Sequence, residues 1–343
     1  MKKSILLFIG VFTLTFSAKA QDFETILLAD VADSKKLLQA YFTPGMEGFI
    51  TSMNSGWAHT AKVHKVLGFG ISLGVSGSFI PSEKELFNVS ALGLTSVTST
   101  SSTASTVGGP GTTTTMTVNT TVSGQAVSTN FQFPGGADLL YNAVPAPIAQ
   151  LNVGIPWKMD AMVRFIPKIS IGDNDDSVNM LGLGLKKEIT SLFGPMENTP
   201  LHVSILAAYT TMDVNYSIAD QNSGELLIQN ASTKFNLKAF TVQAIASLNF
   251  PVVNLYGGIG YNSGSSSFNM TGTFTGVYAT GLPLPAPPTV SKPLDIPSNL
   301  DFESKGFRTT LGARLSLGFF KFFTDITLQE YPTLSGGFAF NIR

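Results

Sequence analysis

The final stretch of the chain, residues 307–343, alternates between apolar and polar positions with a period of two. From Phe307 to Phe319 the odd positions are mostly Phe and Leu, whereas the even positions are Arg, Thr, Gly and Ser. The same alternation returns over residues 322–329 and 334–343. A period of two places successive side chains on opposite faces of a strand. Three such strands with no helix between them predict an antiparallel meander.

The composition is poor in charge, yet the chain beyond residue 20 contains no long apolar run. Charged residues make up 13% of the sequence, against about 25% in average soluble domains. A membrane helix would need roughly 18 consecutive apolar residues. In a membrane barrel only every second residue of a strand meets lipid. The composition therefore predicts a transmembrane β-barrel, with a large soluble β-sandwich as the alternative.

Residues 1–20 have the organisation of a secretory signal peptide. Lys2 and Lys3 supply positive charge, residues 5–16 form an apolar core, and residues 18–20 fit an A-x-A cleavage site. The chain has no cysteine, which excludes lipoprotein acylation, disulfides and thiolate chemistry. A secreted, cysteine-free chain of paired strands indicates the outer membrane of a Gram-negative bacterium.

Residues 21–62 precede the first strand and have a mostly helical pattern. The spacing of apolar residues predicts a helix over 23–42, which Thr43-Pro44-Gly45 ends, and a second short helix over 46–53. A segment so rich in aromatic residues and methionine would expose a large apolar surface unless it packs against another part of the protein. We interpret it as a helical plug inside the barrel lumen, with a periplasmic segment as the alternative.

The remainder, residues 63–343, predicts an all-β, transmembrane, antiparallel up-and-down β-barrel of 10–14 strands. Ten segments alternate clearly, and a hairpin within residues 116–133 would raise the count. The two longest connections, 81–147 and 271–304, fall on one side, and the tight turns fall on the other. Long outer loops and short periplasmic turns are typical of outer-membrane barrels, so we expect both long loops to be extracellular.

The chain also resembles a known group of proteins over most of its length beyond the signal peptide. The plug segment and strand order are similar to an uncharacterised Bacteroidetes-type outer-membrane β-barrel family, and more distantly to the long-chain fatty acid transporter barrels. The chain ends in Arg343 rather than an aromatic residue, and its plug segment lacks the Asn-Pro-Phe motif of those transporters. The stretches that carry the resemblance are Gly56-Trp57, Leu151-Asn152-x-Gly154-Ile155-Pro156, Arg164-Phe165-Ile166-Pro167 and Phe338-x-Phe340-x-Ile342-Arg343.

Five basic residues fall at positions predicted to face the lumen. A polar lumen tolerates ionisable groups, so they pair with inward acidic residues or anchor the plug through Asp30 or Glu47. Alternatively they bind an anionic head group such as a fatty acid carboxylate, which Arg can hold with two parallel hydrogen bonds. The five are Arg164, Lys168, Lys186, Arg308 and Arg314, and the inward acidic residues are Asp160, Glu188 and Asp325.

An apolar set in the plug segment has two interpretations. Methionine and aromatic side chains adapt well to flexible apolar ligands, so the set could line a pocket between plug and wall. It could equally be the core that seats the plug. The set is Phe42, Met46, Phe49, Met53 and Trp57.

The sequence offers no support for catalysis, a metal, a cofactor or nucleic-acid binding. The three histidines are scattered, and the acidic turn at Asp173, Asp175 and Asp176 lacks the later Glu of a calcium loop. The Gly-x-Gly pairs lie inside strands with no helix following, unlike nucleotide-binding loops. We therefore expect no enzyme.

The small inward face of the first strand and the apolar plug favour a channel or transporter for small hydrophobic or amphipathic molecules. The alternative is a plugged structural or interaction barrel whose extracellular loops bind partners, without transport. Membrane lipid and a hydrophobic small molecule are the expected partners. The outer-membrane assembly machinery is a third, recognised through Phe338, Phe340 and Ile342 of the terminal strand.

Overall fold

A computed structural model shows a closed antiparallel barrel. Its main sheet has eleven strands, of which the short strand Thr289–Pro293 pairs only with the end of one neighbour, and the other ten form a ring. It describes residues 23–122, 124–137, 139–170, 176–190, 192, 194, 199–280, 289–297 and 299–342. The signal peptide and residues 173–175 of the acidic turn lie outside this description.

The ten ring strands pair in chain order, each with the next along the chain, and the last pairs with the first. This confirms the up-and-down barrel, with ten ring strands among the described residues. The strands are β1 (Phe69–Phe79), β2 (Ala143–Ile155), β3 (Met159–Ser170), β4 (Ser177–Glu188), β5 (Leu201–Ile218), β6 (Leu226–Asn249), β7 (Val253–Ala279), β8 (Leu300–Leu317), β9 (Phe320–Leu328) and β10 (Thr333–Ile342).

The period of two divides each strand into an outer and an inner face. In β1, Ile71 and Val75 are exposed on the outside, whereas Ser72 and Ser76 are buried inside. The outer face is therefore apolar and the inner face polar or small. This is the reverse of a soluble protein, and it is the arrangement of a barrel that faces lipid.

Strand β3 contains a β-bulge that reverses its alternation. The register shifts between Ile166 and Ile169, after which Ile169 pairs with Val178. Val178 is buried in the inner core, so Ile169 faces inwards and Lys168 is exposed on the outer face. The prediction that Lys168 faces the lumen is therefore wrong. The cause is Pro167, which cannot donate a ladder hydrogen bond and is accommodated in the bulge.

The plug segment contains one long helix, α1 (Val31–Met53), preceded by a 3₁₀ turn. The predicted stop at Thr43-Pro44-Gly45 is wrong, because the helix continues through Pro44. Pro44 and Gly45 are buried, and a Cβ on Gly45 would lie 2.7 Å from Cγ1 of Val107. Tertiary packing around this point compensates for the hydrogen bond that proline removes.

Helix α1 lies inside the ring and contacts β1, β2, β6, β7 and β8. Near its first turn, Asp33 accepts hydrogen bonds from Thr95 and Ser96 of the connection between β1 and β2. Beyond its end, the chain reaches Asp160, which follows the short turn between β2 and β3. The helix therefore runs from the long-loop end to the short-turn end. Among the described residues no helix is long and apolar enough to cross a membrane.

Strands β5–β8 project beyond the rest of the barrel at the long-loop end. Strand β6 has 24 residues and β7 has 27, whereas β9 has 9. Because β7 continues to Ala279 and β8 begins at Leu300, the connection is shorter than the predicted 271–304, and the first connection ends at residue 142.

The projecting strands, residues 23–46 and residues 80–142 enclose one apolar core, and we call this body the cap. Its core joins Phe42 of the helix, Met116 and Phe133 of the first connection, and Phe268 of β7. The short elements of the first connection are the 3₁₀ turns Ser82–Lys84, Ser90–Leu92 and Leu140–Asn142 and the strands Leu86–Asn88, Val97–Ser99, Thr103–Ser105, Thr114–Val122 and Gln125–Phe133.

Candidate functional site

Asp325 of β9, predicted to face inwards, is buried and accepts a hydrogen bond from the Tyr256 hydroxyl at 2.9 Å. Six other charged residues of the lumen surround the end of α1 and the chain that follows it. They lie on β3, β4 and β8 at positions that the strand alternation turns inwards, and every one of them is buried. We call this group the lumen clamp. Its members are Asp160, Arg164, Lys186, Glu188, Arg308 and Arg314.

Arg164 holds the helix end from β3. Its guanidinium donates to the carbonyl oxygens of Met53 at 3.1 Å and Ser55 at 3.2 Å, and to Oε1 of Gln150 at 3.1 Å. The guanidinium carbon also lies 4.3 Å from the centre of the Trp57 ring. The side chain is fully buried, so these contacts replace the water that its charge would otherwise require.

Arg308 holds the same helix end from β8, on the opposite side of the ring. It donates to the carbonyl oxygen of Asn54 at 2.7 Å and to the hydroxyls of Thr310 and Thr327. The last carbonyls of a helix lack partners within the helix and carry the negative end of its dipole. Two arginines therefore satisfy both the hydrogen bonding and the charge of this terminus.

The segment after the helix is held by both signs of charge. Lys186 donates to the carbonyl oxygens of Thr60 at 3.3 Å and Lys62 at 3.1 Å. The backbone N–H of His64 donates to Asp160 at 2.9 Å, and Lys186 forms an ion pair with Asp160 at 3.1 Å. Cations thus meet carbonyl oxygens and carboxylates meet N–H groups along this segment.

Glu188 and Arg314 complete the clamp. The backbone N–H of Val63 donates to Oε2 of Glu188 at 3.1 Å. Arg314 lies 3.1 Å from Nδ1 of His59, which accepts the hydrogen bond in its neutral form. Every member of the clamp therefore contacts the chain between residues 53 and 64.

Four of the five predicted basic residues are brought together in this way, and Lys168 is not. The predicted anchors Asp30 and Glu47 make other contacts. Asp30 accepts from the N–H of Asp33 at 2.8 Å as the helix N-cap, and Glu47 forms an ion pair with Lys84 at 2.7 Å. The anionic head group stays a prediction, and the clamp groups it would need already bind the protein's own backbone.

The apolar set divides between two clusters. Phe42, Met46 and Met53 are buried in the core of the cap and upper lumen, and Phe49 packs against that core. Trp57 belongs to a separate cluster near the short-turn end. These side chains fill the space between helix and wall, and a ligand pocket at them stays a prediction.

Two glycines of β4 make room for Trp57. A Cβ on Gly184 would lie 2.9 Å from the indole ring, and a Cβ on Gly182 would lie 3.0 Å from it. Gly182-x-Gly184 lies inside a strand and is not a nucleotide-binding loop. The fold shows that the two glycines accommodate the side chain of Trp57.

No sequence pattern predicts two of the contacts that the structure shows at the long-loop end. Lys84 bridges Glu47 of the helix and Glu330 of the turn between β9 and β10, at 2.7 and 2.6 Å. Burial acts to lower the pKa of Lys84, but these two carboxylates outweigh it and raise the pKa. The bridge fastens the middle of α1 to two connections at once.

Asp33 makes the second of these contacts. It is fully buried and accepts from the backbone N–H groups of Thr95 at 2.8 Å and Ser96 at 2.7 Å. Burial acts to raise the pKa of Asp33, but the hydrogen bonds from Ser96 and Thr95 outweigh it and lower the pKa below its ordinary value. The carboxylate thereby fixes the first connection onto the start of the helix.

The described residues contain no group of three or more His, Cys, Asp or Glu side chains able to hold a metal ion. Asp176, the described member of the predicted acidic turn, accepts a hydrogen bond from the N–H of Ser217 at 2.7 Å.

Comparison with known proteins places the chain in a family. A family of unknown function, DUF6588, has a model that matches residues 1–342. The chain belongs to this family. No curated protein matches it.

Several solved structures are similar at low scores. They include Ail, the attachment invasion locus protein of Yersinia pestis, in complex with the heparin analogue sucrose octasulfate, at 9% identity over 80% of this chain and 99% of that chain, TM-score 0.27. The translocator domain of the autotransporter NalP from Neisseria meningitidis is 12% identical over 82% of this chain and 90% of that chain, TM-score 0.26. Likeness at these scores carries no argument, and the fold rests on the chain's own pairing.

Proposed function

We propose that this protein is an outer-membrane β-barrel of a Gram-negative bacterium whose own helix closes the lumen, and that it works as an interaction barrel. The cap, at the long-loop end, would face the outside of the cell and bind partners. The observation that carries this proposal is that Arg164 and Arg308 donate hydrogen bonds to the backbone carbonyls of residues 53–55, at the end of α1.

The outer face supports a membrane location. Exposed apolar side chains occupy the outward positions of every ring strand. Strand β9 has 9 residues, which rise about 30 Å along the strand. A tilt of about 40° reduces this to about 23 Å, close to the roughly 25 Å apolar band of outer-membrane barrels.

The clamp supports closure. Removing a helix that is held only by apolar contacts exposes apolar surface, but removing this one also breaks several hydrogen bonds between charged side chains and its backbone. A hydrogen bond to a charged group contributes about 1.5–3 kcal/mol. Spontaneous withdrawal of the helix would break several such contacts together, so the closed barrel is the stable state.

The cap supports an interaction role. Its hairpin, Thr114–Val122 with Gln125–Phe133, buries Met116 and Phe131 and turns Thr117 and Asn130 outwards, where they bond each other at 2.7 Å. The cap therefore has an apolar core and presents a polar surface of defined structure at the long-loop end. Such a surface suits recognition outside the cell.

The alternative is transport of small hydrophobic or amphipathic molecules, for which the helix would have to move. We also expect the assembly machinery to bind the terminal strand through Phe338, Phe340 and Ile342, of which Phe338 and Ile342 are exposed on the outer face. The proposal includes no catalytic activity.

Conductance across planar lipid bilayers tests the proposal. The wild-type protein is expected to insert and stay silent, whereas the Arg164→Met/Arg308→Met variant is expected to show openings. The Lys168→Met variant serves as the control, because Lys168 lies outside the lumen. Stable conductance of the wild-type protein would overturn closure and favour transport.

A further inference from the structure

The outer wall of the barrel carries a groove where β6, β7 and β8 leave the apolar band. Its floor is formed by Ser263 and Ser265 of β7, and its volume is about 420 Å³. Lys238 of β6 and Lys305 of β8 stand on its two sides, and Phe240 lines its lower part. We call this the outer-wall groove.

Strand register explains why a concavity forms here. Two rows of paired residues cross the groove, and in each row a small serine lies between two larger side chains. Outward positions on adjacent strands are within reach of each other when they are paired. The rows are Phe240, Ser263 and Lys305, then Lys238, Ser265 and Glu303.

The groove lies at the border of the apolar surface. One step towards the short-turn end on the same face, the outward residues are Tyr261 on β7 and Phe307 on β8, whose ring centres are 5.4 Å apart. Aromatic side chains of this kind mark the level where acyl chains meet head groups. The two lysines therefore stand at head-group height.

The charges of the groove are available to a ligand. Lys238, Lys305 and Glu303 are exposed. Within the part of the chain that the structure describes, neither lysine takes part in a hydrogen bond or an ion pair. Two lysines against one glutamate leave the groove with a net positive charge.

We propose that the outer-wall groove binds the phosphate of a membrane lipid with a hydroxylated head group. Lys238 and Lys305 hold the phosphate between them, since lysine is a mobile point charge suited to it. The hydroxyls of Ser263 and Ser265 donate to it from the floor. Glu303 accepts a hydrogen bond from a head-group hydroxyl.

The occupant is a lipid rather than a soluble anion because of where the groove opens. It faces outwards, away from the lumen, and its lower part at Phe240 is continuous with the apolar band. A phosphate bound between the lysines would thus leave its acyl chains against Phe240 and Tyr209, within the bilayer.

This inference rests on the proposed membrane location but is independent of the closed lumen. Its test is native mass spectrometry of the full chain in detergent, titrated with phosphatidylglycerol and, in parallel, with phosphatidylcholine. Phosphatidylglycerol carries a phosphate and free hydroxyls, whereas phosphatidylcholine carries no hydroxyl and a cation that Lys238 and Lys305 repel.

The expected result is tighter binding of phosphatidylglycerol, with a loss of about tenfold or more in the Lys238→Gln/Lys305→Gln variant. The matched control is Lys168→Gln/Lys234→Gln, which removes two exposed lysines outside the groove and should keep the wild-type affinity.

Three results would overturn the proposal. They are equal binding of the two lipids, equal losses in the two double variants, and displacement of the lipid by inorganic phosphate at the same concentration. If instead the protein stayed soluble and monodisperse without detergent, the membrane location itself would be wrong, which separates the two failures.

Discussion

Arg164 and Arg308 lie on β3 and β8, five positions apart in the ring of ten. Arg164 donates to the carbonyl of Met53, the last residue of α1, and Arg308 donates to that of its C-cap, Asn54. Each side chain would be a costly buried charge by itself. The helix terminus supplies oxygens to both, so the wall and the helix stabilise each other.

Replacing these arginines should loosen the chain after the helix. Arg164→Met or Arg308→Met leaves a buried carbonyl without its donor, at a cost of about 1–3 kcal/mol each. Hydrogen exchange in detergent should show faster exchange of residues 53–64 in each variant, and faster still in the double variant. Lys168→Met should leave exchange there unchanged; an equal effect of that control would show that the clamp is not responsible.

Trp57 and Gly184 should behave as a matched pair. Gly184→Val should displace the indole, because a Cβ at this position lies 2.9 Å from the ring. In a Trp157→Phe background, which removes the exposed second tryptophan, the yield of folded protein and the protection of Trp57 fluorescence from acrylamide should fall. Adding Trp57→Ala to Gly184→Val should restore the yield.

Gly306→Val is the control for this experiment, since nothing lies within 4 Å of a Cβ at Gly306. A loss of yield in the control as large as that of Gly184→Val would attribute the effect to the strand rather than to Trp57. Failure of Trp57→Ala to rescue the yield would have the same meaning.

Acid should release the first connection from the helix. The pKa of Asp33 is lowered in the folded protein, so its carboxylate stabilises the fold above the ordinary pKa near 3.8. That contribution is lost as the pH falls through the lowered pKa. Hydrogen exchange at residues 94–97 should therefore rise with acidification relative to residues 114–122, and Asp33→Asn should remove the pH dependence. Unchanged pH dependence in Asp33→Asn would contradict this account.

Much of the barrel could be predicted because its signal is local. Each outward residue, such as Ile71 or Leu311, meets the surroundings directly, so the alternation appears in the sequence strand by strand. The same argument placed Arg164 and Arg308 inside correctly. It failed at Lys168, since a bulge at Pro167 changes the alternation without changing the composition.

The clamp could not be predicted because its partners are backbone atoms. Every residue has a backbone carbonyl, so the residue types of Met53 and Asn54 do not indicate that their carbonyl oxygens bind arginine. The sequence therefore points to carboxylates such as Asp30 and Glu47 as partners. The continuous helix was also hidden, because Pro44 is a strong stop signal that only packing from distant residues can override.

The most direct measurement is disulfide formation between Ser52→Cys in the helix and Ser78→Cys in the wall. The two hydroxyl oxygens are 2.8 Å apart, and the protein has no other cysteine. The matched control is Ser76→Cys/Ser335→Cys within the wall, whose oxygens are 3.0 Å apart. If the helix occupies the lumen, both pairs should cross-link in isolated outer membranes. If the wall pair cross-links and the helix pair does not, the helix does not close this barrel.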